Sequence, residues 1–375
     1  MEPLQRVDYN ALDAAKNAFI EASRSTLQFA QKYGFVPDER LGASANVFQL
    51  DLKPFLKSGA EQLFITLLPE GLGTADDARP DDLSDAEAIT FWRNIGTKTV
   101  SVMTNDAAST GMQTILISLY MPSARPDLMF HKNFMQGFLD GFVEGCRAVG
   151  CVYFSGETPQ LKSKLYEDKL DIAGALFGLM PAGIAPISSS NLKAGNKIVF
   201  VESSGPHENG FTTLRDLAKK LPQGYRTKMP SGREFWEGIN EGSKLYTPLV
   251  ESILDDGIHP TNIEPITGHG WQKLMRPAQS LRYVVTQMLP MLEVFEFVER
   301  ESGMNKEAMF TTFNCGTGLA IFVESDEEAL RIVELARAQK LNAVVGGYVE
   351  VSESREVVLQ PLNITLHGKD FALKK

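Results

Sequence analysis

The chain has 375 residues, which is long enough to bury large cores and predicts two domains of ordinary size. Its composition, with 43% hydrophobic and 22% charged residues, is typical of a soluble globular protein. The formal net charge of -10 argues against a nucleic-acid partner, because phosphate binding requires a basic stripe and the sequence contains none.

Neither a membrane nor an oxidising compartment is predicted. The segment from Met1 to Phe29 alternates charged and apolar residues, so we expect neither a signal peptide nor a membrane span. The three cysteines, Cys146, Cys151 and Cys315, lack metal-ligand spacing and lie in apolar or glycine-flanked contexts. We therefore expect buried free thiols in a cytoplasmic protein.

Apolar spacing predicts helices that alternate with short strands in the first half of the chain. A helix is expected from Ala11 to Tyr33 and a strand from Gln62 to Leu68, followed by a glycine-containing loop at residues 70–74. The acidic stretch 76–85 is interpreted as a solvated loop. A Ser-x-x-Glu capping box at residues 84–87 then predicts the start of a helix, and a second capping box at residues 325–328 predicts another in the second half.

The stretch from Asn133 to Gly178 predicts a helix, a strand, a polar hairpin and a second strand. Phenylalanines at every fourth position give the helix an aromatic stripe, and Gly150 ends it. An apolar strand from Cys151 to Phe154 leads into a small-residue loop at residues 155–158. A second apolar strand is expected from Leu170 to Leu179.

Carboxylates in or beside three polar loops of this half are candidates for a magnesium-nucleotide site. They are Glu70, Asp106, Glu157 and Asp171. Carboxylates that converge from several loops are the ligands that a magnesium nucleotide needs. The alternative is that each one belongs to a solvated turn or a cap, which is the commoner role of a loop carboxylate.

A change in composition between Met180 and Asn191 is the best candidate for a linker, because proline, glycine and a run of three serines accumulate there. We therefore predict an N-terminal domain at residues 1–182 and a C-terminal domain at residues 190–375.

The second domain is expected to begin with a strand from Lys197 to Glu202, a loop from Ser203 to Gly210 and a helix from Phe211 to Leu221. Such a loop predicts an anion site, because helix N-terminal N–H groups and the macrodipole favour a phosphate or carboxylate. His207 and Asn209 can add directional hydrogen bonds. An ordinary strand-to-helix turn with a surface histidine is the alternative.

Residues 312–316 precede a strong predicted strand and form a candidate pocket wall, in which Asn314 is placed to read a substrate amide. Cys315 is interpreted as a packing thiol, since no histidine is near it in sequence and nothing local would lower its pKa. His269 is a candidate either to line a pocket or to cap a helix.

Several short runs occur in the order in which one known family carries them, from about Asn105 to the last third of the chain. They are Glu144–Cys146, Gly150–Cys151, Gly156–Thr158, Asp171–Gly174, Ser203–Gly210, Pro265–Gly268 and Met309–Gly316. On these runs the sequence resembles the family of aminoimidazole ribonucleotide synthetase, also called phosphoribosylformylglycinamidine cyclo-ligase.

The resemblance implies an α/β (α+β) two-domain synthetase fold. The N-terminal domain would bind ATP and form a barrel across a homodimer, and the C-terminal α/β domain would contain a mixed sheet flanked by helices. ATP would lie in the cleft between the domains.

The resemblance also implies a reaction. ATP with Mg2+ would activate the amide oxygen of formylglycinamidine ribonucleotide, a nitrogen of the same small-molecule substrate would attack, and phosphate would leave as the imidazole ring closes. The implied catalytic residues are Asp106, Glu157 and His207. The implied nucleotide-binding residues are Glu70, Gly71, Gly73, Thr74 and Asn105, with Glu70 and Asp106 on the metal. Lys98, where the chain departs from the family, is a further nucleotide-binding candidate because of its positive charge. The implied substrate-binding residues are Ser204, Gly205, Asn209 and Asn314.

The departures from the family concentrate in the nucleotide half. Ala75 stands where the family carries a phosphate-facing lysine, Lys98 stands where the family tends to carry an acid, and Ser155 and His269 each replace a glycine. Two explanations are open. In the first, Lys98 supplies the missing charge and the enzyme is active. In the second, ATP turnover is weakened, and the chain is either a paralogue with another acceptor, as in selenophosphate synthetase or thiamine-monophosphate kinase, or a non-catalytic dimeric binding protein.

Overall fold

The computed structural model describes residues 9–37, 46–53, 58–59, 61–125, 127 and 131–368. Two large β-sheets organise these residues, one built from strands within residues 65–179 and the other from strands within residues 197–367. The predicted mixed α/β fold class is therefore confirmed. The predicted domain boundary falls between the two sheets and stays a prediction, and the outermost residues of both predicted domains lie outside the described residues.

The described part of the first half contains three helices and six strands. In chain order they are α1 (Tyr9–Thr26), β1 (Phe35–Pro37), β2 (Phe48–Leu50), β3 (Ile65–Gly71), α2 (Asp85–Ser109), β4 (Gln113–Tyr120), α3 (Lys132–Val149), β5 (Val152–Glu157) and β6 (Ala173–Leu179). The first two strands pair only with each other, and the other four form a sheet in the order β3-β6-β4-β5. The predicted first helix ends early, at Thr26, and a short 3-10 turn precedes Gly34.

The predicted hairpin between the strands that we now number β5 and β6 is wrong, because β4 lies between them. β5 runs parallel to β4, and β6 runs antiparallel to both β4 and β3. Parallel strands need a crossover connection, and α3 provides it between β4 and β5. β6 then occupies the remaining edge of β4.

Helices α2 and α3 cross at a distance that only glycine permits. A Cβ atom on Gly141 would lie 1.8 Å from the carbonyl oxygen of Arg93, and one on Gly96 would lie 2.2 Å from that of Phe138. The predicted aromatic stripe of α3 is buried, with the rings of Phe134, Phe138 and Phe142 stacked in sequence. This tight pair fixes the position of α2, whose last turns lead towards the second sheet.

The second half contains a seven-stranded mixed sheet with helices on both faces. Its elements are β7 (Lys197–Glu202), α4 (Phe211–Ala218), α5 (Phe235–Asn240), α6 (Thr247–Asp255), β8 (Asn262–Pro265), β9 (Leu281–Val285), α7 (Glu293–Ser302), α8 (Lys306–Thr312), β10 (Thr317–Val323), α9 (Asp326–Ala338), β11 (Ala343–Val351), β12 (Glu356–Leu359) and β13 (Ile364–His367). The strand order is β13-β12-β9-β11-β7-β10-β8, and β12 and β9 form its parallel pair. One core covers each face of this sheet.

Two of the predicted loops are in fact strand ends. Glu70 and Gly71 close β3, and residues 155–157 close β5, so their backbone groups are partly used in the sheet. The capping boxes at Ser84 and Ser325 are confirmed. Within the described residues, no helix combines the length and the hydropathy that crossing a membrane would require.

Candidate active site

Charged side chains from both halves of the chain come together around helix α2, which contacts both β3 and β8. Burial and the negative charge of Asp106 both raise the pKa of Glu70 at the end of β3. Burial also raises the pKa of Asp106, against the opposing charges of Lys273 and Arg276. We call Glu70, Asp106, Glu264 and Lys273 the charged cluster. It can attract a cation to its carboxylates and an anion to its lysine.

Glu264 on β8 is the member of the charged cluster that sequence reasoning missed. Its side chain is 5% exposed, accepts a hydrogen bond from Asn262 Nδ2 at 3.3 Å, and lies 4.0 Å from Arg276 Nη1. Burial raises its pKa to about 7. The available signal was a carboxylate directly before residues 265–268, one of the runs that carry the family resemblance.

Lys273 and Arg276 were also missed. They lie three residues apart around the 3-10 helix Gly270–Met275, so they share one side of it. Burial and the charge of Arg276 lower the pKa of Lys273, whereas Asp106 and Glu264 oppose that shift. The i,i+3 spacing of two cations after a glycine turn was the signal that could have found them.

The loop from Ser203 to Gly210 is held in shape by its own side chains and by Asn314. Asn314 accepts a hydrogen bond from Ser203 Oγ at 2.9 Å and donates one to the carbonyl of Gly205 at 2.9 Å. Asn314 is 3% exposed, so the structure places its amide inside the protein. Asn209 is partly exposed, and a Cβ on Gly268 would lie 3.4 Å from its Oδ1.

His207 lies at the centre of this loop in a left-handed backbone conformation with φ of 55°. Its Nε2 accepts hydrogen bonds from the amides of Ser204 at 3.3 Å and Lys244 at 3.4 Å, so the ring proton belongs on Nδ1. Burial, followed by the charges of Lys98 and Lys244, lowers the pKa of His207 to about 3. The imidazole is therefore neutral at physiological pH.

Helix α2 reaches into the second half through two of the predicted nucleotide-binding residues. Lys98 is 0% exposed, and its Nζ donates a hydrogen bond to the carbonyl of His207 at 2.7 Å. The amide of Asn105 donates to the carbonyl of Lys244 and accepts from the N–H of Tyr246, both at 2.8 Å. The structure thus brings both residues to the interface between the two sheets, with their polar atoms already engaged.

The other predicted carboxylates and loop residues are more open. Glu157 is exposed at the end of β5, Asp171 and Gly73 are exposed, and Thr74 is partly exposed. No set of three or more His, Cys, Asp or Glu side chains in the described ranges is arranged to hold a metal ion. The two predicted metal ligands, Glu70 and Asp106, lie near enough for the charge of Asp106 to raise the pKa of Glu70.

Only the second half of the acidic stretch 76–85 is solvated as expected, since Asp81, Asp82 and Asp85 are exposed but Asp76 and Asp77 are not. Asp76 is 5% exposed, and burial raises its pKa to about 7. Asp77 forms ion pairs with Lys169 and Arg215, which join the stretch to both halves of the chain. Ala75 is 1% exposed and belongs to the same core as Phe211, so the segment folds inward through its apolar residues.

Residues 83–180 match the family described as AIR synthase related protein, N-terminal domain. This range holds the paired helices α2 and α3 and strands β4 to β6. Over these residues the chain is similar to the AIR synthase related family. Its own departures, at Ala75 and Lys98, both lie at packed positions, and one of them lies outside the matched range.

Curated proteins that resemble this chain extend the similarity to most of its length. A phosphoribosylformylglycinamidine cyclo-ligase from Anaeromyxobacter is 28% identical over 83% of this chain and 86% of its own length. Enzymes of the same name from Thermococcus kodakarensis and Synechocystis are each 25% identical, over 87% and 76% of this chain and 90% and 80% of their own lengths.

Solved structures with the same fold carry other names. The structure of E. coli HypE, a hydrogenase maturation protein, has a TM-score of 0.62 at 15% identity, covering 97% of this chain and 98% of that one. A HypE structure in complex with ATP has a TM-score of 0.61 at 14% identity and covers 97% of this chain and 94% of that one. Thiamine-monophosphate kinase from Stenotrophomonas maltophilia has a TM-score of 0.60 at 14% identity, covering 91% of this chain and 95% of that one. These likenesses establish the fold.

Proposed function

We propose that this chain is an ATP-dependent cyclo-ligase that converts formylglycinamidine ribonucleotide to aminoimidazole ribonucleotide in purine biosynthesis. The observation that carries the proposal is the meeting of Glu70 and Asp106 from the first half with the cations Lys273 and Arg276 of the second half. The named cyclo-ligases align over 76% to 87% of this chain, which supports the same reaction class.

Glu70 and Asp106 fit a magnesium ion that is held mainly through a nucleotide. Mg2+ in such sites takes one or two protein carboxylates and completes its shell with phosphate oxygens and water. Both carboxylates have a raised pKa, and the charge of Asp106 contributes to that of Glu70. A divalent cation would stabilise their charged forms. When bound, magnesium ATP would supply the phosphoryl group that turns the substrate amide oxygen into a leaving group.

The segment after β3 supplies the nucleotide side of the proposed site. Gly71 ends the strand, and Gly73 has a positive φ of 61°, a conformation that glycine adopts without strain. We assign the backbone N–H groups of these glycines and the hydroxyl of Thr74 to the phosphates. Glu157, exposed at the end of β5, is assigned to the same side.

The loop from Ser203 to Gly210 supplies the substrate side. Because His207 is neutral and accepts two backbone N–H groups, we propose that it contributes by fixing the loop rather than by moving a proton. Asn314 fixes the carbonyl of Gly205 in the same way. Asn209, which is partly exposed beside Gly268, is the side chain that we assign to direct substrate contact.

We further propose a homodimer through the open face of the first sheet. On this face Leu67 is 76% exposed and Tyr120 is 46% exposed, and Phe177 pairs with Leu67 across the strands. Contiguous exposed apolar residues on a sheet mark an interaction surface. A second copy that brings the same face would cover them, as the family resemblance implies.

A second candidate is an enzyme of the same fold that uses ATP on another acceptor. Two observations favour it. Ala75 removes the family lysine from the nucleotide loop, and Lys98 is occupied by the carbonyl of His207. The absence of a lysine from the phosphate site at both positions would also fit a non-catalytic dimeric binding protein, because phosphoryl transfer depends on positive charge near the phosphates.

The test is phosphate release from magnesium ATP by the purified protein, with and without formylglycinamidine ribonucleotide. We expect substrate-dependent phosphate release and formation of aminoimidazole ribonucleotide, both abolished by Asp106→Asn. Nucleotide-dependent thermal stabilisation without turnover would contradict the cyclo-ligase and favour another acceptor. No stabilisation by magnesium ATP would favour the binding protein.

A further inference from the structure

We propose that Lys98 is a positioning residue that holds the 203–210 loop against helix α2, and that it does not contact the nucleotide. The side chain lies wholly inside the protein, with 0% exposure. Its Nζ donates to the carbonyl oxygen of His207 at 2.7 Å and lies 5.8 Å from the ring centre of Phe211, the first residue of α4. The lysine of the first half therefore ends on the loop of the second half.

Glu208 provides the negative charge that a buried ammonium needs. A buried charge is tolerated when it is paired and its polar atoms are hydrogen-bonded. Burial lowers the pKa of Lys98 to about 8, against the opposing charges of Glu208 and Glu241, so the lysine is protonated at neutral pH. Burial raises the pKa of Glu208, and Lys98 is the first of the groups that oppose this rise.

The carboxylate of Glu208 is itself fixed from two directions. Its Oε1 accepts hydrogen bonds from Ser101 Oγ at 2.5 Å and Ser243 Oγ at 2.6 Å. Ser101 follows Lys98 by three residues on α2, so both side chains leave the same face of the helix. One helix face thus binds consecutive residues of the loop, with Lys98 on His207 and Ser101 on Glu208.

The bond from Lys98 falls on the residue that organises the loop from inside. His207 is held at a positive φ, which a side-chain-bearing residue adopts only when the surroundings require it. Its ring fixes the amides of Ser204 and Lys244 and lies beside Gly318, where a Cβ would come within 3.1 Å of Cε1. Loss of the ammonium would release the carbonyl of His207 and leave Glu208 without its cation.

The same contacts separate Lys98 from a role at the nucleotide. For Nζ to reach a phosphate, it would have to give up its hydrogen bond to the carbonyl of His207 and leave a position with no exposed surface. The charge at position 98 is therefore used within the protein and does not replace the lysine absent at Ala75.

The first experiment measures hydrogen exchange of the full chain without ligand, by mass spectrometry, in Lys98→Met. The amides of Ser204 and Lys244, which bond to His207, are expected to exchange about tenfold faster, as expected for loss of one hydrogen bond to a charged group. The matched control is Lys219→Met, at an exposed lysine, which should leave these amides unchanged. Unchanged exchange in Lys98→Met would overturn the proposal.

A second variant keeps the test decisive if Lys98→Met folds poorly. Lys98→Met with Glu208→Gln removes the unpaired carboxylate together with the ammonium. This double variant should regain thermal stability but retain the fast exchange of Ser204 and Lys244. Recovery of normal exchange in the double variant would mean that the hydrogen bond from Lys98 does not hold the loop.

Ligand binding distinguishes a residue that positions the loop from one that only stabilises the fold. This experiment rests on the proposed function. Formylglycinamidine ribonucleotide should bind about tenfold more weakly to the double variant, since its loop is displaced, and magnesium ATP should bind within about twofold of the parent. Weakened magnesium ATP binding with unchanged ribonucleotide binding would overturn the proposal. If the parent itself does not bind the ribonucleotide, the proposed acceptor is wrong, and the exchange result still decides the role of Lys98.

Discussion

Asn105 and Asp106 are neighbours near the end of α2, but different groups occupy their polar atoms. The amide of Asn105 is buried and joins the backbone of Lys244 and Tyr246. The carboxylate of Asp106 is partly exposed and interacts through its charge with Lys273 and Arg276. One residue of the pair connects the two halves of the chain, and the other remains available to a ligand.

The same division separates the two sides of the candidate site. On the side of the 203–210 loop, Lys98, His207 and Asn314 are buried and bonded to backbone groups. On the side of β3, Glu70 is only partly buried and Glu157 is exposed. The first group builds the frame of the site and the second can change partners when a ligand arrives. Residues that the sequence assigns to one site therefore perform different physical tasks.

The largest expected effect comes from restoring the family lysine with Ala75→Lys. Ala75 is 1% exposed in a core shared with α4, so a lysine would both overpack that core and bury a charge. We expect the free energy of unfolding to fall by roughly 4 kcal/mol or more, with no gain in magnesium ATP binding. Urea unfolding and nucleotide-dependent thermal shift measure the two quantities.

The neighbouring Thr74→Lys provides the matched control for this change. Thr74 is partly exposed, so the same side chain should cost less than about 1 kcal/mol there. If both variants were equally stable and Ala75→Lys bound magnesium ATP more tightly, residue 75 would belong to the accessible β3 side of the candidate site and not to the core.

The second prediction tests whether water is excluded from the carboxylate of Glu264 on β8. Burial raises the pKa of Glu264 from 4.5 to about 7, so between these values the folded chain binds more protons than the unfolded chain. Its contribution to stability is therefore lost as the pH rises through this window. Glu264→Gln removes this pH dependence. The free energy of unfolding of the variant, relative to that of the parent, should therefore rise by about 3 kcal/mol as the pH is raised from 4.5 to 8. Urea unfolding of both proteins at several pH values checks the difference, and parallel curves would mean that water reaches the carboxylate.

Sequence reasoning recovered features that depend on neighbouring residues and missed those that depend on distant ones. The stripe on α3, the caps at Ser84 and Ser325 and the strand before Ser203 follow from local periodicity and capping chemistry. The pairing of β5 with β4 could not be read locally, because strand order depends on the crossover through α3. The roles of Lys98 and Glu264 were missed for a related reason, since their burial is created by the approach of the two sheets.

The smallest effect separates the neighbours at the end of α2. Asn105→Ala leaves the N–H of Tyr246 and the carbonyl of Lys244 without their partner, so the free energy of unfolding should fall by roughly 2 kcal/mol. Asp106→Asn makes no such vacancy and removes repulsion with Glu70, so it should stay within about 0.5 kcal/mol of the parent or exceed it. Nucleotide binding should be lost in Asp106→Asn and kept in Asn105→Ala, because Asp106 is the member of this pair that is assigned to the metal. Urea unfolding and titration with magnesium ATP on the two variants decide the matter, and loss of nucleotide binding in Asn105→Ala without loss of stability would reverse the roles given to the pair.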